Sequence, residues 1–107
     1  MRVGNLHREI PVELPEELFT TLTGSSSVRI ERIVSRGHRS PEDFWYDQEE
    51  TEFVLVVSGS AELQFEGGAT RSLTAGDWLE IPAHTRHRVS STDAERDTVW
   101  LAVFYAE

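Results

Sequence analysis

The sequence predicts an all-β domain, a sandwich or barrel of about eight short strands, and three observations support this. Short apolar or alternating runs recur from Val28 to Tyr105. Turn signals rich in glycine, proline and aspartate separate these runs. The 107 residues, 38% of them apolar, suit one domain that buries its own core without disulfides or structural zinc.

In chain order, the first expected element is one short N-terminal helix. Pro15 suits a first helical turn, Glu16 and Glu17 suit its positive end, and the helix around 14–19 has to end by Gly24. Residues 1–27 therefore form an N-terminal segment with a short helix, and 28–107 form the barrel of the same single domain, 1–107. The predicted strands cover residues 28–34, 44–47, 52–58, 61–66, 70–73, 78–81, 87–91 and 98–105.

Composition excludes several functions. The chain has no cysteine, which removes thiolate chemistry, and all ten basic residues are arginine, which removes lysine Schiff bases and P-loops. A net charge of −9 without a basic run opposes nucleic-acid binding. No apolar stretch approaches the ~18 residues needed to span a bilayer, so we expect a soluble, cytoplasmic protein with no membrane partner.

Two segments have the spacing of a known pair of motifs. Six residues separate Glu52 from Gly59 in the first segment. In the second, five residues separate Gly76 from Pro82, and His87 stands five positions after that proline. This pair resembles the two signature motifs of the cupin superfamily. The resemblance implies a double-stranded β-helix, the cupin-type jelly-roll barrel, and segments 40–48, 82–89 and 100–103 resemble small single-domain bacterial cupins of unassigned function.

The chain departs from the cupin pattern at its metal-binding positions. Cupins place a His-x-His pair before the glutamate, but here those positions fall on Trp45 and Asp47 if four residues intervene. They fall on Tyr46 and Gln48 if three intervene. A further departure is His84, which replaces the glycine usually found two positions after the proline.

A metal site nevertheless remains one expectation. Asp47 or Gln48, together with Glu52 and His87, offers nitrogen and oxygen ligands suited to Mn, Fe, Ni or Zn, and His84 could add a second nitrogen. No organic cofactor is expected. For Asp47 the capping of a turn is an equal alternative.

The resemblance also implies a pocket for a small-molecule ligand at the barrel mouth, with candidate lining residues Trp45, Tyr46, Trp78 and His84. Two functions fit such a pocket. One is a metal-dependent enzyme of oxygenase, isomerase or lyase type that acts on a small polar molecule. The other is a non-catalytic cupin that binds or senses a small ligand with or without a metal ion.

Strand 52–58 is apolar on both faces. If Glu52 points inward, then Phe53, Leu55 and Val57 form a second apolar face. In a chain this small, we expect another subunit to cover that face, which predicts a homodimer.

Overall fold

The computed structural model describes residues 1–106, and it confirms the all-β prediction. Eight strands form two antiparallel sheets. The strands are β1 (Leu18–Gly24), β2 (Val28–Ser35), β3 (Thr51–Ser58), β4 (Ser60–Phe65), β5 (Thr70–Thr74), β6 (Trp78–Ile81), β7 (His87–Thr92) and β8 (Thr98–Tyr105). The larger sheet has the order β1-β2-β8-β3-β6, and the smaller has the order β5-β4-β7.

The core lies between the two sheets and follows from the alternation of side chains along each strand. On β3, Glu52, Val54 and Val56 are buried, whereas the residues between them are only half-buried. The larger sheet contributes Trp100 and Phe104 from β8 to the same core. The smaller sheet contributes, among others, Ala61, Leu63, Leu73 and Val89. Each strand thus turns one row of side chains toward the opposite sheet.

The predicted N-terminal helix is wrong: residues 1–106 contain no helix. Residues 18–24 instead form β1, which pairs antiparallel with β2 from Leu18 opposite Val34 to Gly24 opposite Arg29. The helix signals cover less than two turns before Gly24, which is too short to offset the cost of nucleation. The threonine-rich tract that follows suits a strand. Nothing in residues 1–106 is a helix that could cross a membrane.

The expected strand at 44–47 is reduced to a single bridge. Tyr46 pairs with His87, donating its backbone N–H to the His87 carbonyl and accepting the His87 N–H in return. The total of eight strands therefore matches the prediction, although β1 takes the place of 44–47. The bridge matters for the site because it holds Tyr46 directly beside the start of β7.

Candidate functional site

A cavity of about 130 Å³, partly open to solvent, lies between the two sheets. This volume is below the roughly 300–1,000 Å³ of pockets that take drug-sized ligands, so the cavity suits a small molecule. Its walls combine apolar core residues with charged and polar side chains. The lining residues are Glu17, Phe19, Arg29, Glu31, Ile33, Tyr46, Gln48, Glu52, Val54, Leu63, Ile81, His87, Val89, Trp100 and Phe104.

The central polar feature of the cavity is a buried pair formed by His87 and Glu52. Nε2 of His87 lies 3.5 Å from Oε1 of Glu52, and the two residues are only 5% and 8% exposed. Strands β7 and β3 belong to different sheets, so the pair joins the two walls of the barrel. The spacing of the two motifs therefore places these two side chains next to each other inside the barrel.

The other ring nitrogen of His87 determines which tautomer the neutral ring adopts. Nδ1 lies 2.8 Å from the backbone carbonyl of Thr85, and because a carbonyl only accepts hydrogen bonds, Nδ1 carries a proton. In the neutral ring the lone pair is then on Nε2 and faces Glu52. Burial alone lowers the pKa of His87, but the contacts with Glu52 and the Thr85 carbonyl outweigh it, and the pKa is raised.

Tyr46 completes this part of the cavity. Its ring stacks on His87 with centroids 5.4 Å apart and an interplanar angle of 26°. Burial, followed by the charges of Glu17 and Glu52, raises the pKa of Tyr46 to about 12. The hydroxyl therefore stays protonated at neutral pH and is available as a hydrogen-bond donor.

Of the two registers that the sequence left open, the one with Tyr46 and Gln48 faces the cavity. Tyr46, Gln48, Glu52 and His87 are all lining residues. The same alternation turns Asp47 outward, where its Oδ1 lies 2.8 Å from Nδ1 of His84. Asp47 is therefore a surface residue that contacts His84.

The other three residues expected at the pocket lie elsewhere on the surface. His84 occupies an exposed turn with φ of +60°. Trp45 packs under the Arg88 guanidinium, 4.7 Å from the ring centroid. Trp78 is 59% exposed and stacks on Phe53 at 5.4 Å, on the outer face of the larger sheet. Trp45 points away from the cavity because it alternates with Tyr46. Trp78 also points away, because it pairs with Leu55, which faces outward.

Sequence reasoning missed the charged residues that β2 contributes to the cavity. Arg29 and Glu31 share a face of β2 with Ile33, and all three line the cavity. Nε of Arg29 contacts Glu31 at 2.8 Å, and Nη1 contacts Glu50 at 3.2 Å. The period-two pattern of Arg29, Glu31 and buried Ile33 was the available signal, but charged residues on a strand are usually taken to face solvent.

Glu17 is a second missed residue, and it comes from the segment that was expected to be helical. The Ser35 hydroxyl donates a hydrogen bond to Glu17 and accepts one from Nε1 of Trp100 at 3.1 Å. This chain of contacts ties the N-terminal segment to β2 and β8. Glu17 thereby becomes part of the cavity wall.

The donor set does not fit the divalent-metal site that the sequence suggested. Residues 1–106 contain no group of three or more His, Asp or Glu side chains placed to hold a metal ion. The cavity offers one imidazole and one carboxylate that face each other, with a neutral amide from Gln48 and the protonated Tyr46 hydroxyl beside them. Glu17 and Glu31 are already engaged by Ser35 and Arg29. Such a set lacks the third strong ligand that these ions require.

Comparisons with known proteins agree with the fold. A family model described as a cupin domain matches residues 30–104. The structure of a "putative mannose-6-phosphate isomerase" from Ralstonia eutropha is 48% identical, covers all of both chains and superimposes with a TM-score of 0.95. A cupin superfamily protein from Desulfitobacterium hafniense is 20% identical over all of both chains, with a TM-score of 0.76. No match was found among curated proteins.

Proposed function

The chain belongs to the cupin domain family. From its buried His87–Glu52 pair, we propose that it is an isomerase-type enzyme that moves a proton on a small polar molecule without a metal ion. The pair carries the proposal because it places a base of raised pKa in a cavity of ligand size. A general base works best when its pKa lies near the operating pH. The raised pKa makes the neutral ring of His87 a stronger base.

Each residue has a defined role in the proposed reaction. The deprotonated His87–Glu52 pair takes a proton from a carbon next to a carbonyl group, and the proton is then held between Nε2 of His87 and Oε1 of Glu52. The Tyr46 hydroxyl donates a hydrogen bond to the carbonyl oxygen, where negative charge develops. The pair then returns the proton to the former carbonyl carbon, while the proton of the neighbouring hydroxyl passes to the former carbonyl oxygen, so that no oxidant or co-reactant is consumed. Nδ1, held by the Thr85 carbonyl, keeps the ring oriented throughout.

The name of the Ralstonia relative supports the isomerase class, since an aldose–ketose isomerisation is such a proton shift. The phosphate group in that name has no counterpart in the proposal. The Arg29 guanidinium is already paired with Glu31 and Glu50, and it is the only arginine among the lining residues within 1–106.

Solvent exchange tests the proposal. In D₂O, the wild-type protein should accelerate the loss of the α-proton NMR signals of hydroxyacetone and dihydroxyacetone over the protein-free rate. His87→Ala should lose about 10²- to 10⁴-fold of that acceleration, as expected for removal of a general base. Tyr46→Phe, which keeps the ring that stacks on His87 but removes the hydroxyl, should lose a smaller part. The exposed His7→Ala serves as the matched histidine control and should be unchanged.

Two outcomes would contradict the proposal. One is exchange no faster than in the protein-free sample, and the other is full exchange activity in His87→Ala. Saturable binding without exchange would instead support the non-catalytic, ligand-binding alternative.

We also propose that a second copy covers the outer face of the larger sheet. Phe53, Leu55 and Val57 are half-buried there, and Trp78 extends this apolar surface by stacking on Phe53. A monomer rarely leaves a contiguous apolar face of this kind uncovered. A twofold homodimer would bury it against its own copy.

A further inference from the structure

The charges in the cavity are out of balance. Among the lining residues, the three carboxylates of Glu17, Glu31 and Glu52 face the single guanidinium of Arg29. When His87 is neutral, the lining carries a formal charge of −2. Glu50, outside the lining, contacts the same guanidinium, so the charge of Arg29 is already offset by two carboxylates.

Tyr46 lies in the negative field of two of these carboxylates. After burial, the charges of Glu17 and Glu52 are what raise its pKa to about 12. Negative charge thus acts on the cavity from both the N-terminal segment and β3. An anionic ligand would add to this repulsion, in an environment that water screens poorly.

The fold already shows how this wall accommodates a cation. The Arg29 guanidinium lies 4.4 Å from the centroid of the Phe104 ring and contacts the carboxylates of Glu31 and Glu50. An aromatic face combined with carboxylates is a favourable environment for a positive charge.

The cavity lining holds further groups of the same two kinds. Tyr46 and Trp100 supply aromatic rings, and Glu17 and Glu52 supply carboxylates. Among the described lining residues, the groups that can carry a positive charge are Arg29 and His87. The three carboxylates therefore outnumber the cationic groups even when His87 is protonated.

We propose that the ligand of this cavity is a small organic cation, a protonated amine that binds between these rings and carboxylates, and that anions, phosphate esters included, are selected against. The inference rests on the cavity of the proposed function and names the substrate class for that site. The limited volume restricts the cation to a few carbon atoms.

Three ketones of nearly equal size and different charge test the proposal. Aminoacetone is a cation, hydroxyacetone is neutral and pyruvate is an anion. Their dissociation constants are measured by titration of backbone amide NMR shifts of the full chain. We expect aminoacetone to bind at least tenfold more tightly than hydroxyacetone, and pyruvate to bind most weakly. The largest changes in amide shift should come from residues around the cavity.

A pair of neighbouring glutamates supplies the matched variants. Glu17→Gln keeps a carbonyl oxygen for the Ser35 hydroxyl but removes a negative charge. It should weaken the binding of aminoacetone about tenfold and leave the binding of hydroxyacetone unchanged. Glu16→Gln, at an exposed position next to it, should change neither. The proposal is overturned if pyruvate binds as tightly as aminoacetone, if aminoacetone shows no saturable binding, or if the two glutamate variants behave alike.

The outcomes also separate this inference from the proposed function. Preferential aminoacetone binding without His87-dependent proton exchange on hydroxyacetone would leave the inference standing and refute the chemistry. His87-dependent exchange in a protein that prefers pyruvate would refute the inference alone.

Discussion

Replacing Gly59 by alanine should destabilise the fold far more than the same change at Gly76, although both are motif glycines with positive φ. Gly59 has φ of +86° and Gly76 has φ of +94°, conformations that alanine rarely adopts. A Cβ at Gly59 would lie 2.5 Å from the Thr98 hydroxyl oxygen, 2.6 Å from Thr98 Cα and 2.7 Å from the Asp97 carbonyl oxygen. A Cβ at Gly76 would meet nothing within 4 Å.

The expected magnitudes follow from these two terms. The positive φ alone costs an alanine about 1–2 kcal/mol, and this is the whole expected effect at Gly76. At Gly59 two of the three close atoms belong to the backbone, so β8 has to shift. Overpacking of this kind adds about 1–3 kcal/mol. Gly59→Ala should therefore cost roughly 2–5 kcal/mol, a large share of the ~5–15 kcal/mol that stabilises a typical domain.

Urea unfolding followed by tryptophan fluorescence measures the difference. The midpoint should fall more in Gly59→Ala than in Gly76→Ala, with similar m-values in all three proteins. Equal losses in the two variants would show that backbone conformation, and not the close approach of β8, makes glycine necessary at position 59.

Three further outcomes are expected. The pKa of His87 is raised in the folded state, so its contact with Glu52 should stabilise the fold fully below the unfolded pKa of about 6.5. That stabilisation should be lost as pH rises through the folded pKa. Urea unfolding between pH 6 and 9 should show this loss in the wild type and not in Glu52→Gln. His84→Gly should be more stable than His84→Ala by about 1–2 kcal/mol, since both lose the contact with Asp47 but only alanine keeps the strain of φ +60°. Equal stabilities would contradict this. Light scattering should give twice the 12.2 kDa chain mass for the wild type and the mass of one chain for Phe53→Glu. A wild-type monomer would refute the proposed dimer.

The parts of the fold that depend on spacing could be predicted from the sequence. The distance from Glu52 to Gly59 and from Gly76 to His87 located two hairpins, and those hairpins bring Glu52 and His87 together. The N-terminal helix failed because local signals at Pro15 were weaker than the pairing partner that β2 offers to residues 18–24. Tertiary pairing of that kind leaves no local trace in the sequence.

The wall of the cavity was harder to predict than its centre. Whether Tyr46 or Asp47 faces inward depends on one residue of register, and a shift of one residue exchanges the two faces. The bridge between Tyr46 and His87 settles that register, and it is a long-range contact. Arg29 and Glu31 were missed because their ion pairs become favourable only once Phe104 and Glu50 are in place.

The proton positions on His87 test the central claim most directly. The claim is that Glu52 and the Thr85 carbonyl hold His87 as a base whose lone pair is on Nε2. In ¹⁵N-labelled protein, the ring nitrogen shifts of His87 should show Nδ1 protonated at every pH, with Nε2 titrating at a pKa above 6.5. A neutral ring with its proton on Nε2, or a His87 pKa below 6.5, would contradict the account.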